Sequence, residues 1–105
     1  MASAGNGERP FELGVSGVIA EDIRQLQRQA SREDRGAEFL RAFRQIVDRL
    51  RSKPGQFGEP LYRLPVLRMQ VRCAVVSPIY VDFALCEDRP LVFIRAMKLL
   101  AKPRS

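Results

Sequence analysis

Arginines at alternate positions among apolar residues are the feature of this chain best suited to chemistry. In the stretch RMQVRCAV, residues 68–75, an extended backbone puts Arg68, Gln70 and Arg72 on one face and Met69, Val71, Cys73 and Val75 on the other. The apolar set is expected to face a core and the arginines to lie on the open face of a small sheet. Such a face attracts anions, whether phosphate backbones or acidic protein segments. Arg63, Arg95 and Lys98 extend the cationic set, with Tyr80 beside it.

Each of these residues also has a plainer reading. Arg68 and Arg72 are either anion contacts or guanidinium groups lying across a solvated sheet face. Arg95, set among Leu91, Phe93, Ile94 and Met97, is either an anion ligand or the structural partner of Asp82. Alternation places Asp82 on the same side of its strand as Tyr80, so that pairing would lower the positive potential where an anion would bind. Tyr80 is either a half-buried sheet residue or a participant in chemistry. Lys98, at a strand end, has the plain reading of a solvated cation.

Composition narrows the chemistry further. The chain has no histidine, which excludes a Cys–His catalytic pair and histidine-based metal sites, and no cofactor or metal is expected. Cys73 and Cys86 fall on alternating strands and read as small buried or half-buried thiols. The net charge is +6, and its placement is uneven. Residues 1–59 carry ten Lys/Arg against nine Asp/Glu, whereas residues 60–105 carry eight against three, so the strand-rich half holds most of the excess. No apolar run approaches the roughly 20 residues that a bilayer span requires, and residues 1–10 do not resemble a secretory signal, so a soluble, cytoplasmic protein without membrane contact is expected.

The elements that must position these residues follow from periodicity. At 105 residues the chain is expected to form one domain over 11–100, between a flexible N-terminal tail at 1–10 and a C-terminal tail at 101–105. Phe11, Leu13 and Val15 alternate as a first strand would. Ile19, Ile23, Leu26 and Ala30 share one helical face, with Ser16 as the cap and Glu21 and Asp22 expected in the first turn. Ser31 is expected to open a second helix, with Phe39, Leu40, Phe43, Ile46, Val47 and Leu50 as its apolar stripe. Arg41 and Arg44 are assigned to its solvated face, and Pro54-Gly55 to its end. Four strands are then expected at 61–64, 68–76, 79–86 and 91–97, with turns at Ser77-Pro78 and 87–90. The fold class is α+β: an N-terminal strand, a helical hairpin and an antiparallel meander of three to four strands, with both helices on one sheet face.

This order, with RLRSKPGQFGEPLYRL entering the sheet, MQVRCAVV and IYVDFAL in its middle and LVFIRAMKLL closing it, resembles the RelE/ParE superfamily of toxins from bacterial toxin–antitoxin pairs. The resemblance spans about residues 11–100 and puts Arg72 and Arg95 at the family's two arginine positions. For a RelE-like member it implies a metal-independent endoribonuclease that cleaves messenger RNA on the ribosome. A 2′-OH attacks the neighbouring phosphate, and Arg72, Arg95, Lys98 and Tyr80 are the candidate catalytic residues. Arg63, Arg68 and Gln70 are the candidate contacts to RNA or to an acidic antitoxin. After Arg95 the chain has Ala96, Met97, Leu99 and Leu100 where the family commonly has basic or aromatic residues, which leaves Lys98 as the basic candidate. The alternative is a ParE-like inhibitor of DNA gyrase or an inactive toxin relative, which binds and does not cut.

Overall fold

The structure, a computed structural model, describes residues 10–102; residues 1–9 and 103–105 of the two expected tails lie outside the described residues. The described residues are α+β, with two α-helices and one five-stranded sheet. In chain order it runs β1 (Glu12–Gly14), α1 (Gly17–Arg32), α2 (Gly36–Ser52), β2 (Glu59–Leu64), β3 (Met69–Val76), β4 (Ile79–Cys86) and β5 (Leu91–Leu99), with short 3-10 turns at Pro54–Gln56 and Pro65–Leu67. Strand order is β1-β5-β4-β3-β2. β2 to β5 form the expected antiparallel meander, while β1 pairs with β5 in parallel and makes the sheet mixed. A strand separated from its neighbour by two helices and three strands is free of the hairpin constraint that forces antiparallel pairing.

Ser16 caps α1 as its sequence suggests, its hydroxyl accepting from the Ile19 N–H at 3.2 Å. Glu21 and Asp22 lie beyond the first turn, because the helix begins already at Gly17. The break expected at Ser31 comes at 33–35 instead. Asp34 adopts a left-handed conformation with φ 63°, and Arg35, 6% exposed, sends its guanidinium to the Leu100 carbonyl at 2.9 Å and to Glu33 at 3.0 Å. The need to bury Arg35 against the end of β5 thus fixes where the chain turns. In α2 the buried stripe is Phe39, Ala42, Ile46 and Leu50, with Phe43 and Val47 half-buried and Leu40 outside it. Arg41 and Arg44 are exposed.

The core lies between the helices and one sheet face. Phe39, Ile46 and Leu50 meet Val81, Phe83, Val92 and Ile94 there, each of these side chains being at most 4% exposed. Each such burial stabilises by about 1.5–3 kcal/mol. On β3, however, the expected faces are reversed. Register puts Arg72 opposite Phe83 and Ala74 opposite Val81, so Gln70, Arg72, Ala74 and Val76 turn toward the helices. Val71, Cys73 and Val75 turn to the open face with Tyr80 and Asp82. The turn between β3 and β4 has only Ser77 and Pro78, which places Val76 directly opposite Ile79; since Ile79 is fully buried in the core, Val76 and its alternate neighbours must follow it.

Candidate functional site

Arg72 is 7% exposed and is satisfied from within. Its Nε donates to the Phe57 carbonyl at 3.1 Å, Nη2 to the Gly58 carbonyl at 3.1 Å and Nη1 to the Gln70 Oε1 at 2.9 Å. The 56–58 segment is held over it by Phe57, whose ring stacks on Phe83 with centroids 5.7 Å apart and lies under the Arg49 guanidinium at 5.0 Å. Gly58, at φ 69°, passes so close to β3 that a Cβ there would collide with the Cys73 carbonyl. Arg72 therefore fastens the entry of β2 to the sheet, and its placement on the open face is corrected: a guanidinium with three fixed acceptors on the helix side does not reach that face.

Three other candidates also lie elsewhere. Gln70 is half-buried on the helix side and serves as acceptor for Arg72. Arg68 is not part of a strand; at φ 53° it ends the 3-10 turn before β3, so period-two reasoning does not apply to it, and its exposed side chain stands at the sheet's end. Arg63 forms a bidentate pair with Glu87, at 2.6 and 2.7 Å. The pair holds the Glu87 carboxyl below its ordinary value and raises Arg63.

The open face brings together Tyr62, Tyr80, Asp82, Arg95 and Lys98. Arg95 donates to the Tyr62 hydroxyl at 3.0 Å and to Asp82 Oδ1 at 3.4 Å, from a side chain 40% exposed, so its pairing with Asp82 is found. It sits where the β4–β5 register shifts between Asp82 and Phe83, and the irregularity frees Arg95 from alternation. The hydrogen bond to Tyr62, then Asp82, raises the Arg95 pKa further. Lys98 lies opposite Tyr80, its Nζ 5.7 Å from the ring centroid. The Tyr80 phenol is held above its ordinary value, first by the Cys73 thiol, then by desolvation and the Asp82 charge. Tyr62 is the site residue that the sequence pattern did not single out. It reaches the face through the irregular register of β2, which sets it across from Val71 and which no residue pattern marks.

Chemically the face offers two exposed cations, Arg95 and Lys98, and a phenol that keeps its proton. Asp82, the carboxylate among these five, is already paired with Arg95, and register places a second, exposed carboxylate, Glu59, opposite Cys73 at the β2 end of the face. Phosphate or carboxylate binding is within its reach; a free proton acceptor for a 2′-OH is not among these five side chains. Cys73 is half-buried and Cys86 buried, both as free thiols. No described helix is long and apolar enough to cross a membrane. Comparison with protein-family models, with curated proteins and with solved structures finds no match to this chain.

Proposed function

We propose that this chain is the toxin component of a toxin–antitoxin pair of the RelE/ParE kind, acting in the cytoplasm, and that it works by binding a protein target through its open sheet face. Support comes from the order of strand, helical hairpin and four-stranded meander, with Arg95 and Lys98 exposed on the sheet face opposite the helices. The observation that favours binding over cutting is the Asp82–Arg95 pair. With Arg72 tied to the Phe57 and Gly58 carbonyls, the phosphorane charge would fall to Arg95 and Lys98, and a carboxylate 3.4 Å from Arg95 opposes its share. A target protein and an acidic antitoxin would both suit a face of mixed charge on which Tyr62 and Val75 are also exposed.

The endoribonuclease reading keeps one specific support, the juxtaposition of Tyr80 with Lys98 and of Tyr62 with Arg95 on one surface, which could donate a proton and bind phosphate. Mapping messenger 5′ ends after induction without antitoxin separates the two. Growth arrest with intact ribosome-bound messenger, together with inhibition of a type II topoisomerase by purified protein, is the expected result. New in-frame cleavage sites would replace the binding reading with the nuclease.

A further inference from the structure

The strand-rich half carries most of the formal positive charge, yet the fold answers much of it from within. Arg63, Arg89 and Arg95 are paired with Glu87, Asp88 and Asp82, and Arg72 is buried. On the open face Arg95 and Lys98 stand with Asp82 and Glu59. Unanswered cations gather instead on α2. Residues 36–53 hold Arg41, Arg44, Arg49, Arg51 and Lys53 against Glu38 and Asp48, all of them exposed, and Glu38 lies beside Arg35 at 4.0 Å. At about 100° per residue, Arg41, Arg44 and Arg51 fall within an arc of roughly 80° on the side of α2 opposite its buried stripe, and they span about 15 Å of helix axis. Gln45, Asp48 and Ser52 complete this outer face. On α1 the exposed arginines Arg24 and Arg28 are both held by Glu21. On α2, Asp48 stands four residues after Arg44 and three before Arg51, a spacing that permits an ion pair, yet among the described residues neither arginine forms one.

We propose that the outer face of α2 binds duplex DNA, with the helix laid along the major groove and Arg41, Arg44 and Arg51 on the phosphates. Three guanidinium groups in line oppose a polyanion, and being unpaired they break no contact to meet it. The major groove of B-DNA, about 12 Å wide, admits a helix about 10–12 Å across, whereas the A-form groove of an RNA duplex is too deep and narrow for side chains to read. Asp48 selects DNA over an acidic protein segment. Set between the arginines, it repels a row of carboxylates laid along the helix, but at the floor of the groove it meets the amino donors of base edges, with Gln45 beside it. This surface belongs to the helix layer, on the other side of the sheet from the open face, and stands independently of the toxin reading.

The probe is a labelled DNA duplex of about 16 base pairs and mixed sequence, titrated with the full chain by fluorescence anisotropy at several salt concentrations. Arg41→Ala, Arg44→Ala and Arg51→Ala combined place a good helix former at exposed positions, so the variant should stay folded, which circular dichroism verifies. It is expected to bind at least about tenfold more weakly at low salt and to flatten the dependence of log K on log salt by about 2–3. Arg95→Ala combined with Lys98→Ala removes two cations from the opposite side and should leave both quantities nearly unchanged. An RNA duplex of the same sequence should bind more weakly than the DNA. No binding of the DNA duplex at micromolar concentrations, equal losses in the two variants, which is the mark of net charge alone, or RNA binding as tight as DNA binding would each overturn the proposal.

Discussion

Arg95 and Asp82 face each other across the β4–β5 pair at 3.4 Å, and the position of Arg95 at the register shift allows it to lean toward both Asp82 and Tyr62. Because the Arg95 side chain is 40% exposed, the pair is open to competition by an incoming anion. Asp82→Asn should therefore raise affinity for a short single-stranded RNA by about three- to tenfold and steepen the salt dependence by about one counterion. Fluorescence anisotropy at several salt concentrations measures both. An unchanged slope would remove Arg95 from the anion-binding surface.

Arg72 gives the opposite expectation, since its role is internal. Arg72→Ala leaves the Phe57 and Gly58 carbonyls without their donor and opens a gap under the 56–58 segment, so it should destabilise by about 2–4 kcal/mol in urea unfolding. Arg72→Lys should recover little of this, because an ammonium cannot span three acceptors as a planar fork does. Wild-type stability in the alanine variant would return Arg72 to the list of candidate surface residues.

Much of this fold is legible in the residues, and β3 is the chief exception. β4 begins and ends at 79 and 86 as expected, and its alternation carries Val81 and Phe83 into the core with Val92 and Ile94 of β5. The face of β3 was legible too, but in the turn and not in the strand: two residues, Ser77 and Pro78, oblige Val76 to share a face with Ile79. Val75 cannot face the core with that spacing, because Ile79 already does. The arginine pattern was misleading because a guanidinium under a loop can be buried when carbonyls meet it, which residue type alone does not reveal. The Tyr62–Arg95 contact was beyond reach, as it depends on irregular registers in β2 and in β4–β5.

The Arg63–Glu87 pair ties β2 to the chain after β4 and makes an acid-dependent contribution. The Glu87 carboxyl is lowered from 4.5, first by its hydrogen bond to Arg63. A carboxyl lowered in the folded state stabilises fully above its unfolded value and loses that contribution as pH falls through the folded value. The difference in thermal midpoint between wild type and Arg63→Ala should thus be present at neutral pH, decline below 4.5 and disappear once Glu87 is protonated in both states. Added salt should shrink it at every pH, because the pair is exposed. A difference that persists in strong acid would mean Arg63 stabilises through packing.

Tyr80 distinguishes cutting from binding with the removal of a single oxygen. Held above its ordinary value of 10.0, the phenol stays protonated at neutral pH and is suited to donate a proton to a leaving oxygen, with Lys98 beside its ring to stabilise charge. Were the face a ribonuclease site, Tyr80→Phe should lower single-turnover cleavage on ribosomes by about 10²-fold or more while leaving RNA affinity nearly unchanged, since a general acid acts mainly in the transition state. For a binding toxin the half-buried ring supplies contact area that phenylalanine retains, so growth arrest by the variant should stay within about threefold of wild type, corresponding to less than 1 kcal/mol. Lys98→Glu should instead reduce both growth arrest and target affinity, because it reverses one of the two exposed cations on the face. Loss of arrest in Tyr80→Phe with full activity in Lys98→Glu would contradict the binding mechanism on both counts.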